Sequence, residues 1–282
     1  MHYDYAAVGH VTIDVMDGGS LRPGGTALYS ALQAARLGQR TLIVTQGAQG
    51  ELEGALEPYA GEVDLEIVAA EHTTTLLSSG SGSSRRQRLV AWAGEMPEGL
   101  ALDTATLHLA PIARETPRRW LGAPTFIGMT PQGLAREWAA PGAAITLSRP
   151  DADAESLARA CHALVLSEHE RESCSDLIAA ARGAGAVVAV TDGSNPSTLL
   201  MARGRSARLE VPALVDPLDD LGAGDVYAAA FFFALAEGRA PESAARFATA
   251  AAAVRMRGHG PEAIGDREAI EARLAAVGAP PD

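Results

Sequence analysis

The stretch Asp216-Pro217-Leu218-Asp219-Asp220-Leu221-Gly222-Ala223-Gly224-Asp225 runs straight into an apolar segment, Val226 to Ala236. Small residues ahead of a helix leave its first backbone N–H groups uncovered, at the positive end of the helix dipole. That combination makes an anion site. Asp225 would stand beside any anion held there, where a carboxylate can take the proton of a hydroxyl attacking a bound phosphoryl group. Taken alone, the same letters also describe a glycine-rich turn with Asp225 as helix N-cap. They do not make a dinucleotide fingerprint, because Tyr227 fills the third glycine position and the preceding residues are Asp-rich instead of a buried strand.

Three further pieces have chemical potential. Arg22-Pro23-Gly24-Gly25-Thr26 opens a helical stretch, and paired glycines let a backbone approach a ligand closely; a plain tight turn reads the same way. Leu164-Val165-Leu166 ends in Ser167-Glu168-His169-Glu170. Acids at the carboxyl end of a strand lie where open α/β sheets place ligands, and they suit a water-coordinated Mg²⁺ as well as an ordinary acidic helix start. Thr191-Asp192-Gly193 ends another strand at the same edge.

The elements that must position these groups alternate. Strands are expected at Tyr5–Gly9, Thr41–Thr45, Leu107–Ala110, Thr125–Gly128, Leu164–Leu166 and Val187–Thr191. Helices are expected at Ala27–Leu37, Glu115–Trp120, Ala154–Ala160, Arg171–Arg182, Asp225–Glu237, Pro241–Arg257 and Arg267–Val277. This is the pattern of an α/β chain around a mostly parallel sheet. His72–Ser79 and Arg85–Trp92, joined by Gly80–Ser84, read as a polar β-hairpin projecting from the main body, either a lid or a bare surface feature. Pro280 and Pro281 mark a frayed tail.

Composition narrows the chemistry. All 23 basic residues are arginine, so a Walker-A loop, a protein-kinase strand lysine and a Schiff base are excluded. A net charge of -12 argues against nucleic acid as partner. Cys161 and Cys174 are too few for a disulfide framework, and the default compartment is a reducing cytoplasm. The N-terminus shows no charged leader followed by an apolar run. Val226–Ala236 falls short of the roughly 20 residues of a membrane helix, so no membrane role is expected. The histidines show no metal spacing, which argues against catalytic zinc. His10 could face a substrate or be structural; Arg85 and Arg88 could reach a phosphate but read better as solvated. Trp92, Trp120 and Trp138 suit core or interface.

In order and spacing, the Gly24-Gly25 turn, Ser167-Glu168-His169-Glu170, Thr191-Asp192-Gly193 and Gly222-Ala223-Gly224-Asp225 resemble the ribokinase-like PfkB family of small-molecule kinases, over nearly the whole chain. The resemblance implies one three-layer α/β/α domain over residues 1–282, with a small β lid at about 72–93. It also implies Asp225 as general base, the amides of Gly222, Ala223 and Gly224 as anion hole, and Glu170 organising Mg²⁺. Thr191 and Gly193 would contact ATP, and Asp14, Gly24 and Gly25, with Tyr29 in a rebuilt pocket, would contact the acceptor. Three positions depart from the family pattern: Asp220 stands for a threonine, Tyr29 for an asparagine and Ser167 for an asparagine.

The expected activity is ATP-dependent phosphorylation of a hydroxyl on a sugar or cyclic polyol such as an inositol. A nucleoside stacked on Tyr29 is the alternative acceptor, and a non-catalytic ligand-binding relative the alternative class. A homodimer through edge pairing of the lid is a further expectation.

Overall fold

The structure, a computed structural model, describes residues 1–80, 84–214 and 217–278. Most of the expected hairpin turn (81–83), Asp216 and the Pro280–Pro281 tail lie outside the described residues. The chain opens with β1 (Tyr3–Val8), β2 (Thr12–Val15), β3 (Leu21–Gly24) and α1 (Thr26–Arg36). Next come β4 (Thr41–Gly47), α2 (Gln49–Leu56), β5 (Asp64–Ala69), β6 (Thr75–Ser79) and β7 (Arg86–Ala91). The short β8 (Leu100–Ala101) precedes β9 (Thr104–Leu109), β10 (Trp120–Leu121), β11 (Phe126–Met129), β12 (Arg136–Glu137) and β13 (Thr146–Leu147). α3 (Ala152–Ala160), β14 (Ala163–Ser167), α4 (Ser175–Gly183), β15 (Val187–Asp192), β16 (Asn195–Leu200) and β17 (Ser206–Leu209) follow. α5 (Ala223–Ala236), α6 (Pro241–Arg255) and α7 (Arg267–Gly278) close the chain.

Nine strands form the main sheet in the order β17-β16-β15-β14-β11-β9-β1-β4-β5. It is parallel from β15 to β5, with β16 and β17 added antiparallel at one edge. The two-residue period of a strand divides its side chains between two cores. Tyr5, Ala7, Ile43, Val165 and Ala189 join the core built with α1, α5 and α6. Ala6, Val8, Val44, Leu164, Leu166, Val188 and Val190 join the core built with α3 and α4. Apolar residues at every position are what a sheet covered on both faces requires. α5 is buried from Val226 to Ala234, as a helix apolar all round must be. Its seat is cut into the sheet, for a Cβ on Gly128 of β11 would overlap the Phe232 ring. The expected three-layer α/β/α domain with a mostly parallel sheet and a β lid is therefore the fold.

The lid is larger than the expected hairpin. β6 and β7 pair antiparallel, but β6 also pairs in parallel with β2, which pairs with β3, giving a four-stranded sheet β3-β2-β6-β7. Leu76 and Leu89 face inward and are buried, whereas Leu77 and Val90 on the opposite face are exposed. The outer edge of β7 is already paired: Leu89 donates to the Ala143 carbonyl, Gly142 to that of Leu89, and Ile145 to that of Gln87. That leaves no free β7 edge at these positions for a second copy.

Two expected helices differ. Glu115–Trp120 is irregular, because the buried Glu115 carboxylate accepts the backbone N–H groups of His10, Ile112 and Ala113 and Pro117 interrupts the stretch. The helix expected from Arg171 begins at Ser175 instead. Ahead of it, Glu168–Glu170 form a 3-10 turn closed by a capping box, with the Glu170 carboxylate accepting the Ser167 N–H at 2.8 Å.

Candidate active site

Helix α5 starts three residues earlier than a capping Asp225 would need. Gly222 is the N-cap, in the left-handed region at φ 79°, and Asp225 lies in the first turn. The Ala223 N–H is directed to the Asp220 carbonyl at 3.2 Å. Of the three expected amides, those of Gly222 and Gly224 have no acceptor among the described residues. Gly222 must be glycine for a second reason: a Cβ there would overlap the ring of Tyr29. That ring is 1% exposed and backs the loop. A ring this buried offers no open face to a base, so Tyr29 lies behind the loop and not where the expectation of an acceptor contact put it.

Around Asp225 the carboxyl ends of the parallel strands and the lid converge. Gln132, in the 3-10 turn after β11, donates to Asp225 Oδ1 at 3.2 Å and to the Thr26 hydroxyl at 2.6 Å. The Ser30 hydroxyl donates to the Asp225 carbonyl. Burial pushes the Asp225 carboxyl up to about 6; the Thr26 hydroxyl and the Arg136 guanidinium pull it down, while Glu170 and Asp14 push it further up. The result is a carboxyl that titrates close to neutrality.

Asp14, on lid strand β2, is 2% exposed. Burial raises it to about 6 against the Thr12 hydroxyl, which donates at 2.8 Å, and the charges of Arg136, Arg85 and Arg22. The Gly24-Gly25 turn is shaped by this group: a Cβ on Gly24 would run into the Asp14 carboxylate, and one on Gly25, at φ 92°, into the His10 carbonyl. His10 is buried and bonded through Nδ1 to the Thr74 hydroxyl.

Thr191 lies near the end of β15 and Gly193 just beyond it; the register sets Thr191 opposite Ser167, whose N–H the Glu170 carboxylate accepts. Among the described residues no cluster of three or more His, Cys, Asp or Glu side chains could hold a metal by itself.

The feature that the sequence reading missed is Arg136. Its guanidinium donates to the Ile112 carbonyl at 3.0 Å and to Gln87 of β7 at 2.9 Å, clamping it between core and lid. Glu170, Asp225, Asp14 and Glu115 all act on its charge, yet none forms an ion pair with it among the described residues. Arg88 is directed to the Gly142 carbonyl. Arg85 forms an ion pair with Asp220 at 2.5 Å, and Arg22 with Asp219 at 2.7 Å, so lid and anion loop are tied twice. The only available signal was position: Thr130 and Gln132 follow β11 at the ligand edge, with Arg136 one turn on.

A sheet with a carboxylate beside open helix-start amides and a β lid above defines a ribokinase fold, and solved structures agree. A pyrophosphate-dependent kinase of the ribokinase family, complexed with a pyrophosphate analog and myo-inositol, superposes with a TM-score of 0.74 at 21% identity, over 95% of this chain and 99% of that one. The Arabidopsis thaliana ribokinase complexed with ribose and ATP gives 0.70 at 19% identity, over 97% and 99%. The Methanocaldococcus jannaschii nucleoside kinase gives 0.73 at 17%, over 97% and 98%. No curated protein sequence matches. Residues 144–266, which include Glu170, Thr191 and Asp225, match the model of the pfkB family carbohydrate kinases, and the chain as a whole has the ribokinase fold.

Proposed function

We propose that this protein is a kinase moving a phosphoryl group from ATP or pyrophosphate to a hydroxyl of a sugar or cyclic polyol. The observation that carries this reading is Asp225, a carboxylate raised to about 6 beside the open amides of Gly222 and Gly224. Asp225 takes the proton of the acceptor hydroxyl as its oxygen attacks the phosphorus. The Gly222 and Gly224 amides, with the dipole of α5, take the charge on the transferring group. Asp14 holds acceptor hydroxyls from the lid, with Gly24 and Gly25 giving them room. Gln132 and Thr26 orient the Asp225 carboxylate. Bound Mg²⁺ would neutralise donor phosphates, with Glu170 as its protein partner, while Thr191 and Gly193 border the donor. Inositol relatives favour a polyol acceptor; the donor is left open because such relatives use pyrophosphate where ribokinase was captured with ATP.

The chain acts as one domain, with lid and core tied by Arg22, Arg85 and Arg136. We propose cytoplasmic work, in keeping with two buried free thiols. No helix of the described residues is long and apolar enough to cross a membrane. A homodimer through the lid would use the exposed outer face of Leu21, Leu77 and Val90. The test is release of ADP or phosphate from each donor with a panel of inositols, sugars and nucleosides. Turnover with a polyol is expected, and binding without turnover across the panel would leave a non-catalytic relative.

A further inference from the structure

Arg255, the last residue of α6, is the largest fully buried side chain, at 0% exposure. Its guanidinium donates to the Leu221 carbonyl at 2.6 Å, the Gly258 carbonyl at 3.0 Å and Asp219 Oδ2 at 3.2 Å. The face of Tyr29 lies 5.3 Å from its Cζ. Asp219 in turn accepts the N–H groups of Leu221 and Gly260 and the guanidinium of Arg22. Leu221 is thus held at both its N–H and its C=O, immediately before Gly222.

The charges around Asp219 do not cancel. One carboxylate meets two guanidinium groups, leaving a net charge of +1 beside the residue that precedes the uncovered amides. Burying a guanidinium is costly unless its donors are matched, and here three are matched by oxygen alone. A carboxylate with two backbone carbonyls is the kind of oxygen cage that receives a monovalent cation. In this chain the cage is filled by a cation covalently attached to α6.

We propose that Arg255 is a built-in monovalent cation for the phosphoryl site. It fixes the loop that presents Gly222 and Gly224, and adds positive potential where charge develops, so transfer requires no added monovalent ion. Arg255 is a positioning residue, for it touches the loop and not the reacting atoms. The inference rests on the kinase reading above.

The first test needs no variant. With the acceptor found in the panel, turnover of the wild-type protein is expected to agree within about twofold between potassium, sodium and tetramethylammonium salts at equal ionic strength. A tenfold or greater stimulation by potassium, on the order of the loss of one oxyanion contact, would overturn the proposal. In Arg255→Ala, kcat is expected to fall about 100-fold with acceptor KM little changed. Guanidinium or potassium chloride should restore at least part of it while leaving the wild type unaffected. A folded Arg255→Ala protein with wild-type kcat, or one that neither cation revives, would refute it. If that variant does not fold, the wild-type salt comparison decides. Should the wild-type protein transfer nothing to any acceptor, the kinase reading fails separately. Binding of inorganic pyrophosphate, measured by calorimetry, then tests Arg255 alone: at least tenfold weaker binding in Arg255→Ala supports the role, and equal affinity removes it.

Discussion

Gly222 lies flat against the ring of Tyr29, closely enough that no side chain fits between them. The contact joins the start of α5 to α1, and it allows the loop to turn through φ 79° directly above a buried aromatic face. The conformation of the loop that opens α5 is therefore set by packing as much as by the absence of side chains.

Gly222→Ala introduces both a left-handed alanine, costing about 1 kcal/mol, and an overlap with Tyr29. We expect a lower Tm together with a kcat loss well beyond what destabilisation explains. Adding Tyr29→Leu should recover part of the Tm but not of kcat. Thermal denaturation and steady-state kinetics on the single and double variants check both halves.

Asp225→Asn is expected to lower kcat by about 10³-fold or more with donor binding little changed. It should also stabilise the protein at pH 8. With its pKa raised to about 6 in the fold, the carboxyl binds more protons folded than unfolded between about pH 4 and 6. Its stability contribution is present below the unfolded value and is lost as pH rises through 6. Asparagine stays neutral and so escapes that loss; Tm of the variant should exceed wild type at pH 8 and approach it at pH 4.

Asp225 and Asp14 are both raised to about 6, so kcat/KM should rise with pH through that region, more steeply than one ionisation allows. Arg136 lowers both groups. Arg136→Met should move the acid limb upward by about one unit and reduce kcat by about 10²-fold. A variant whose acid limb lies at the same pH as that of the wild type would remove Arg136 from the site.

The Arg85–Asp220 pair at 2.5 Å joins lid to loop at a part-exposed position, where such pairs contribute about 1 kcal/mol or less. Asp220→Asn is expected to raise acceptor KM severalfold with Tm almost unchanged. A double-mutant cycle with Arg85→Met should show the two effects to be non-additive.

Much of this was legible in the chain because it depends on local spacing. Two-residue and helical periods located six strands of the main sheet and α1, α3, α5, α6 and α7. The run Gly222-Ala223-Gly224-Asp225 pointed to uncovered helix-start amides because backbone N–H exposure follows directly from missing side chains. The expected helix at Glu115 failed because three backbone amides from distant and neighbouring positions converge on its carboxylate, a non-local event. β2 and β3 escaped notice because their pairing is made within the lid sheet, which no local period announces.

The tertiary structure alone decided the rest. Tyr29 became the floor of a loop, because α1 and α5 pack side by side. Arg136 entered the site since Gln87 and Ile112, far apart in sequence, clamp it there. Arginine with no lysine was plain in the composition, but which arginines carry charge to the phosphoryl site was not. Charge acts through space, and only the fold sets Arg136 within reach of Asp225 and buries Arg255 behind Gly222.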